Sequence, residues 1–143
     1  PMKILVINGP NLNLLGIREP DIYGIETLAD IRNWLDRQPE ANGHNIRWFQ
    51  SNHEGDLIDQ IQTTTNLYDG IIINPGALTH YSFAIRDAIA SVNTPTVEVH
   101  LSDINSREEF RKVSVIKDEC ISQISGLGKH VYIEAVKTLV NHL

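Results

Sequence analysis

The chain has 143 residues, of which 41% are hydrophobic and 21% are charged, and its formal net charge is −6 at pH 7. This length and composition favour a single ordered domain over residues 1–143 and exclude a disordered or fibrous chain. The negative charge disfavours nucleic-acid binding, which needs clustered Lys and Arg, so an anionic ligand would have to be bound by local features.

Two further classes of protein are disfavoured by the sequence. Cys120 is the one cysteine, so we expect no internal disulfide and no cysteine-built zinc site, but a small buried apolar residue. No hydrophobic run approaches the ~20 residues that span a bilayer, and no signal peptide is recognisable. We therefore expect a cytoplasmic protein that does not enter a membrane.

The first half of the chain predicts two strands, each followed by a helix. Residues 4–7 form an apolar run that is typical of a buried strand. Thr27 is a candidate N-cap for the first long helix. The alternation over residues 46–50 predicts a half-covered strand, and residues 56–64 predict a helix.

The second half continues the alternation. Residues 71–73, 96–100 and 121–124 predict strands. One helix between them has its apolar stripe at Ile85, Ala88, Ile89 and Val92. The closing helix has a stripe at Val136, Leu139, Val140 and Leu143.

Strands and helices that alternate five times predict an α/β fold, with a parallel sheet and helices on both faces. At this length we expect a flavodoxin-like three-layer sandwich with strand order 2-1-3-4-5. Ligands of such sheets bind beyond the carboxyl ends of the strands. Polar residues follow three strands at this edge, which predicts a site built from Asn8, Asn11, Asn74, His100 and Ser102.

The segment from residue 8 to residue 24 is long for a connection in a compact α/β domain and shows no clear helical periodicity. Such loops are often functional lids. Arg18 and Tyr23 lie in it, and from the residues alone a solvated arginine and a tyrosine packed on the surface are the favoured interpretation.

Residues 74–80 join a predicted strand to a helix. Thr79 is a candidate cap for that helix, which would place His80 in the first turn, where the helix dipole disfavours an imidazolium. Asp87 would share a helix face with His80 and be able to reach a ligand or another subunit. An ordinary solvated carboxylate is the alternative for Asp87.

Alternation over residues 96–102 turns Glu98, His100 and Ser102 to one side. A carboxylate beside an imidazole fixes its tautomer and favours its protonated form, which suits proton donation. A purely structural His–Glu pair is the alternative. A zinc site at His80, His100 and Glu98 is weakly supported, because no helical HExxH motif is present.

Four segments together resemble the type II 3-dehydroquinate dehydratases, in order and in spacing. They are NGPNLNLLGIREPDIYG from residue 8, QSNHEGDLID from residue 50, INPGALTHYSFAIRDA from residue 73 and VEVHLSDINSREEFR from residue 97. The resemblance implies a shikimate- or quinate-pathway enzyme with a flavodoxin-like fold. It also implies the reversible loss of water from 3-dehydroquinate through an enolate, without metal or cofactor, to give 3-dehydroshikimate.

The resemblance also implies roles for individual residues. Tyr23 would accept the proton beside Arg18, His100 would protonate the leaving hydroxyl while Glu98 holds it, and Asn11 would orient a water that stabilises the enolate. The implied substrate-binding residues are Asn74, His80, Asp87 and Arg111, with the backbone amides of Leu101 and Ser102 as a carboxylate cradle. Family members assemble as trimers gathered into a dodecamer, in which the residue matching Asp87 reaches a neighbouring site.

Chemistry makes sense of the lid pair. A free tyrosine of pKa ~10 is only ~0.1% ionised at pH 7, and a nearby guanidinium favours the phenolate without losing its own proton.

Two positions depart from the family pattern. Asp103 stands where Asn is common and is expected to face solvent, and Val131 stands where Gly is usual, which puts at most subunit packing in doubt.

Other functions of a flavodoxin-like fold fit the sequence less well. An FMN-binding loop would be rich in hydroxyl groups and glycine, and a phospho-receiver would carry paired acids after the first strand, whereas residues 8–16 supply mostly Asn and Leu. Neither GxGxxG nor a P-loop is present. An inactive homologue that serves as a scaffold is disfavoured because every matched chemical position is intact.

Overall fold

The computed structural model describes residues 1–143, except for the side chains of Ile22 and Tyr23. Five strands form one parallel sheet in the order β2-β1-β3-β4-β5, which confirms the predicted α/β, flavodoxin-like architecture. The strands are β1 (Lys3–Asn8), β2 (Asn45–Gln50), β3 (Gly70–Asn74), β4 (Thr96–His100) and β5 (Ser122–Ser125).

Helices cover both faces of the sheet. They are α1 (Pro20–Tyr23), α2 (Leu28–Asp36), α3 (Glu54–Gln62), α4 (Phe83–Ser91) and α5 (His130–His142), with short 3-10 helices between them. Ile4 and Val6 of β1 pack in one apolar core with α2 and α5, whereas Leu5 and Ile7 pack in the other core with α3 and α4. The alternation of side chains along one central strand therefore feeds both cores.

The predicted start of α2 is confirmed. The Thr27 side chain accepts a hydrogen bond from the Asp30 amide at 3.1 Å, and the Asp30 carboxylate accepts one from the Thr27 amide at 3.0 Å. This reciprocal capping box satisfies two N–H groups that the first helical turn leaves unpaired.

The predicted start of α4 is wrong. Ser82 caps this helix by accepting a hydrogen bond from the Ile85 amide at 3.0 Å. Thr79 and His80 belong instead to the preceding 3-10 helix, Gly76–His80. His80 is therefore not in the first turn of α4 and does not share a helix face with Asp87.

The closing helix buries only half of the predicted stripe. Val136 and Leu139 are buried, but Val140 is 40% exposed and Leu143 is 76% exposed, because the helix turns an earlier set of residues inward. Val131 is fully buried in the core beside Tyr132, so the valine that replaces the usual glycine affects packing within the chain rather than subunit packing.

Smaller differences concern the bounds of other elements. Helix α3 begins two residues before the predicted start, and β5 lies one residue beyond the predicted strand. The long segment after β1 contains a 3-10 helix, Leu12–Leu14, and α1, because single turns leave too little periodicity to recognise. In the described part of the chain, no helix is long and apolar enough to cross a membrane.

The register brings the carboxyl ends of the central strands together. Asn8 at the end of β1 pairs with Gln50 of β2 and Asn74 of β3. Gly9 donates its amide to the Asn74 carbonyl at 2.8 Å, and a Cβ on Gly9 would lie 2.5 Å from the Pro75 carbonyl oxygen. A glycine is needed at this position because the loops after β1 and β3 run in contact.

Candidate active site

A cleft of about 190 Å³ opens at the carboxyl edge of the sheet, as the strand order predicts. The loops after β1 and β3 form two of its walls, and the segment that follows β4 forms the third. Its lining residues are Pro10, Asn11, Leu12, Leu15, Arg18, Asn74, Gly76, Ala77, His80, His100, Leu101, Ser102, Ile104, Arg107 and Arg111.

Most of the residues predicted for the site lie in this lining, namely Asn11, Arg18, Asn74, His80, His100, Leu101, Ser102 and Arg111. Glu98 lies behind His100 instead of in the wall. The prediction that Asn8 belongs to the site is wrong, because Asn8 is fully buried and its Oδ1 accepts the Tyr132 hydroxyl at 2.6 Å. Asp87 is exposed on α4 and does not line the cleft of its own chain. The side chain of Tyr23 lies outside the described residues, so its predicted position is not tested.

Glu98 and His100 form a buried pair at the end of β4. Glu98 is fully buried, His100 is 7% exposed, and His100 Nε2 lies 2.5 Å from Glu98 Oε2. Burial acts to raise the pKa of Glu98, but the hydrogen bonds and the charge of His100, with further hydrogen bonds from Thr79 and Ser114, outweigh burial and lower it. Glu98 is therefore an ionised carboxylate, and it accepts a hydrogen bond from the Nε2–H group of His100.

The ring of His80 is held by a hydrogen bond to a residue outside the cleft lining. Its Nδ1 lies 2.6 Å from the carbonyl oxygen of Val113, so Nδ1 carries a proton and donates it. Burial lowers the pKa of His80, and the charges of His100 and Arg111 act in the same direction, although the Val113 hydrogen bond and Glu98 oppose them. The imidazole is thus less basic than usual, as the sequence predicted, but because of burial and not because of a helix dipole.

Two asparagines line the cleft from adjacent strand ends. Asn11 has a left-handed backbone with φ of 71°, a conformation that asparagine tolerates better than most residues, and its amide donates to Asn52 Oδ1 at 2.9 Å. Asn74 is buried, and its Oδ1 accepts the Gly76 amide at 3.3 Å. Asn11 is therefore held by a contact with the loop after β2, and Asn74 by the turn that its own loop forms.

Arginines give the cleft its charge. Arg18, Arg107 and Arg111 all line it, and the lining contains no Asp or Glu among the residues described. Arg111 Nε donates to Glu108 at 2.8 Å, and its guanidinium lies 4.8 Å from the centre of the Phe110 ring. A chain of net charge −6 thus has a locally cationic cleft, which suits an anionic ligand.

Arg107 is a lining residue that the sequence reasoning missed. It lies in the matched segment VEVHLSDINSREEFR, four residues before Arg111. A positive charge beyond the end of β4 was a signal that pointed to this edge. Because residues 104–112 contain two 3-10 helices with no regular periodicity, the sequence did not show that Arg107 faces the cleft as Arg111 does.

Asp103 faces away from the site, as expected. It is exposed, and its carboxylate accepts the Asn105 amide at 2.9 Å. Among the residues whose side chains are described, no group of three or more His, Cys, Asp or Glu residues is placed to hold a metal ion.

Comparisons with known proteins agree with this geometry. A 3-dehydroquinate dehydratase from Trichodesmium erythraeum is 56% identical, with 99% of this chain and 94% of the relative covered. One from Clostridium beijerinckii is 54% identical, with 96% and 95% covered. The crystal structure of a type II dehydroquinase from Butyrivibrio crossotus matches with a TM-score of 0.93 at 52% identity, covering 97% of both chains. The family model described as dehydroquinase class II matches residues 2–140, and the chain belongs to this family.

Proposed function

We propose that this chain, as a single catalytic domain, is a hydro-lyase that removes water from 3-dehydroquinate to give 3-dehydroshikimate. The observation that carries the proposal is the Glu98–His100 pair, which opens onto an arginine-lined cleft in a member of the class II dehydroquinase family. The pair supplies a proton donor, and the positive charge of the arginines favours an anionic substrate.

In the first step, Tyr23 as phenolate takes the proton next to the ketone and leaves an enolate. Arg18, which lines the cleft five residues earlier, favours the phenolate by its positive charge. Tyr132 is unsuited to this role, because it is fully buried, burial raises its pKa, and its hydroxyl donates to Asn8 Oδ1 at 2.6 Å. Asn11 orients a water that stabilises the charge on the enolate oxygen.

In the second step, the enolate collapses and expels the hydroxyl group, which His100 protonates so that it leaves as water. His100 Nε2 faces Glu98, so the proton comes from Nδ1, the other ring nitrogen. The Glu98 carboxylate stabilises the imidazolium before transfer and keeps the ring oriented after it. One proton is taken from carbon and one is given to oxygen, so the overall charge is unchanged.

Substrate binding uses the remaining wall residues. The substrate carboxylate lies at the backbone amides of Leu101 and Ser102, and the hydroxyl groups contact Asn74, His80 and Arg111. Because His80 donates its Nδ1 proton to Val113, its Nε2 is an acceptor for a substrate hydroxyl in the neutral ring.

We also propose that the chain acts in the cytoplasm as trimers that assemble into a dodecamer. Asp87 supports this assembly, since it is exposed and lies outside the cleft of its own chain. In a trimer it would complete the site of a neighbouring subunit.

The function is tested by incubating the purified protein with 3-dehydroquinate and following the absorbance of the conjugated product. We expect turnover by the wild type, near-complete loss in Tyr23→Phe and a large loss in Arg18→Ala, with Arg32→Ala at an exposed position of α2 as the matched control. Absence of wild-type turnover would contradict the function. Full activity in Tyr23→Phe would contradict the assignment of the base.

A further inference from the structure

Glu98 accepts hydrogen bonds from two hydroxyl groups that the proposed reaction does not use. Thr79 Oγ1 lies 2.5 Å from Glu98 Oε2, and Ser114 Oγ lies 2.8 Å from Oε1 and 2.9 Å from Oε2. Thr79 is fully buried and Ser114 is partly buried. Neither residue lines the cleft, so neither is placed to touch a substrate.

The direction of these hydrogen bonds follows from counting protons. Each hydroxyl has one proton, and Ser114 Oγ already accepts the Lys117 amide at 3.2 Å. If Thr79 and Ser114 donated to each other across their 3.1 Å separation, one of them would be lost as a donor to Glu98. A fully buried carboxylate needs donors, so both protons point to Glu98.

With His100 included, Glu98 receives hydrogen bonds from three side chains. This set satisfies a carboxylate but not a carboxylic acid, whose own proton would compete with a donor for the same oxygen. The hydroxyls therefore favour the state in which the shared proton stays on His100.

The segment that carries Ser114 also holds the other histidine of the cleft. The Val113 carbonyl accepts from His80 Nδ1, and the Val115 amide donates to the Thr79 carbonyl at 2.8 Å. Arg86 Nη1 in turn donates to the Val115 carbonyl at 3.0 Å. The segment is thereby fixed against the 3-10 helix that carries Thr79 and His80.

We infer that Thr79 and Ser114 are positioning residues, which keep Glu98 anionic and so keep the shared proton on Nε2 of His100, where it holds the ring as an imidazolium that gives its Nδ1 proton to the leaving group. The inference rests on the proposed role of His100 as the acid. It extends that role from a pair to a four-residue network assembled from three separate parts of the chain.

The direct test is an infrared titration of the buried carboxyl group. The carbonyl stretch of protonated Glu98 is followed against pH and assigned by its absence in Glu98→Gln. Removing a hydroxyl takes away one of the causes that lower the pKa of Glu98, so Ser114→Ala and Thr79→Val should move the midpoint upward by about one pH unit each. Thr79→Ser keeps a hydroxyl and should restore the wild-type midpoint.

Matched controls remove hydroxyls elsewhere. Ser91→Ala removes an exposed hydroxyl that donates to the Asp87 carbonyl, and Thr64→Val removes a buried hydroxyl that donates to the Ile61 carbonyl. Neither control should move the midpoint. An unmoved midpoint in both Ser114→Ala and Thr79→Val, or an equal movement in the controls, would overturn the inference.

Activity separates this inference from the proposed function. In Ser114→Ala we expect kcat with 3-dehydroquinate to fall roughly tenfold with little change in KM, because the acid and not substrate binding is affected. If the wild type shows no turnover, the function fails while the infrared midpoint still decides the network. If Thr79→Val does not fold, the partly buried Ser114→Ala decides alone.

Discussion

Glu98 and Cys120 show how differently single buried groups behave when their partners differ. Glu98 is fully buried but keeps its charge, because it accepts hydrogen bonds from His100, Thr79 and Ser114. Cys120 packs against the core on the α3 and α4 face, and burial, aided by the negative charges of Glu98 and Glu119, raises the pKa of its thiol to about 12. Both groups are desolvated, but the pKa of Glu98 is lowered by its hydrogen-bond donors, whereas the pKa of Cys120 is raised.

The thiol of Cys120 should therefore react slowly in the folded protein. Only the thiolate is an efficient nucleophile, and a pKa near 12 leaves almost none of it at neutral pH. We expect no alkylation by iodoacetamide near pH 7 in the native state and complete alkylation in denaturant, measured by mass spectrometry. Rapid labelling of the native protein would show that Cys120 is accessible and ionised.

Sequence reasoning at this scale succeeded for pairs that are close along the chain. Glu98 and His100 are two residues apart on one strand, so alternation alone placed them together. The hydroxyls of Thr79 and Ser114 were not found as partners of Glu98, since they lie 19 and 16 residues away along the chain. Contacts of that separation depend on how loops pack, which no local periodicity records.

Elements meet closely at the edge where the cleft lies. The loops after β1 and β3 lie so close at Gly9 that no side chain fits between them. In the facing loop, Gly76 has a φ of 62°. Asn11 follows the first of these loops and Asn74 precedes the second. The position of both asparagines thus depends on two backbones in contact.

Replacing Gly9 with Ala should disturb the cleft. The added Cβ would lie 2.5 Å from the Pro75 carbonyl oxygen, so one loop must shift. We expect a lower melting temperature and a raised KM, measured by thermal denaturation and steady-state kinetics. Gly55→Ala in α3 is the control, because its Cβ would meet nothing within 4 Å and alanine favours a helix. Equal behaviour of the two variants would contradict this account of the loop contact.

The elements that sequence reasoning placed correctly were those with strong local signals. The capping box at Thr27 is contained within four residues, and the buried strands are continuous apolar runs. The cap of α4 was misplaced because Thr79 and Ser82 are both good capping residues. Thr79 is bonded to Glu98 instead, and this tertiary contact is not visible in the local sequence.

The whole molecule combines a negative net charge with a cationic cleft. The net charge of −6 is that of the whole chain, whereas Arg18, Arg107 and Arg111 lie together in the cleft at one edge of the sheet. The strand order and the position of the ligand edge were predicted from the alternation of elements, because parallel α/β sheets permit few topologies. Assembly was implied by the family resemblance and not by the residues, since subunit contacts leave no periodic pattern.

Shared sites between subunits can be tested with mixed oligomers. Asp87→Ala should lower activity by about tenfold or more if its carboxylate completes a neighbouring site. Mixing Asp87→Ala subunits with His100→Ala subunits should restore part of the activity, because some sites then receive His100 from one chain and Asp87 from another. Native mass spectrometry of the wild type should give a dodecamer. A monomer, or mixtures no more active than their components, would contradict the shared site.

The division of labour between Tyr23 and His100 is tested most directly by hydrogen exchange in the substrate. Each variant is incubated with 3-dehydroquinate in deuterated water, and deuterium at the carbon next to the ketone is measured by NMR against an enzyme-free control. We expect His100→Ala to introduce deuterium without forming product, because its base still works while its acid is missing, and Tyr23→Phe to do neither. Exchange catalysed by Tyr23→Phe, or none by a folded and substrate-binding His100→Ala, would contradict the account.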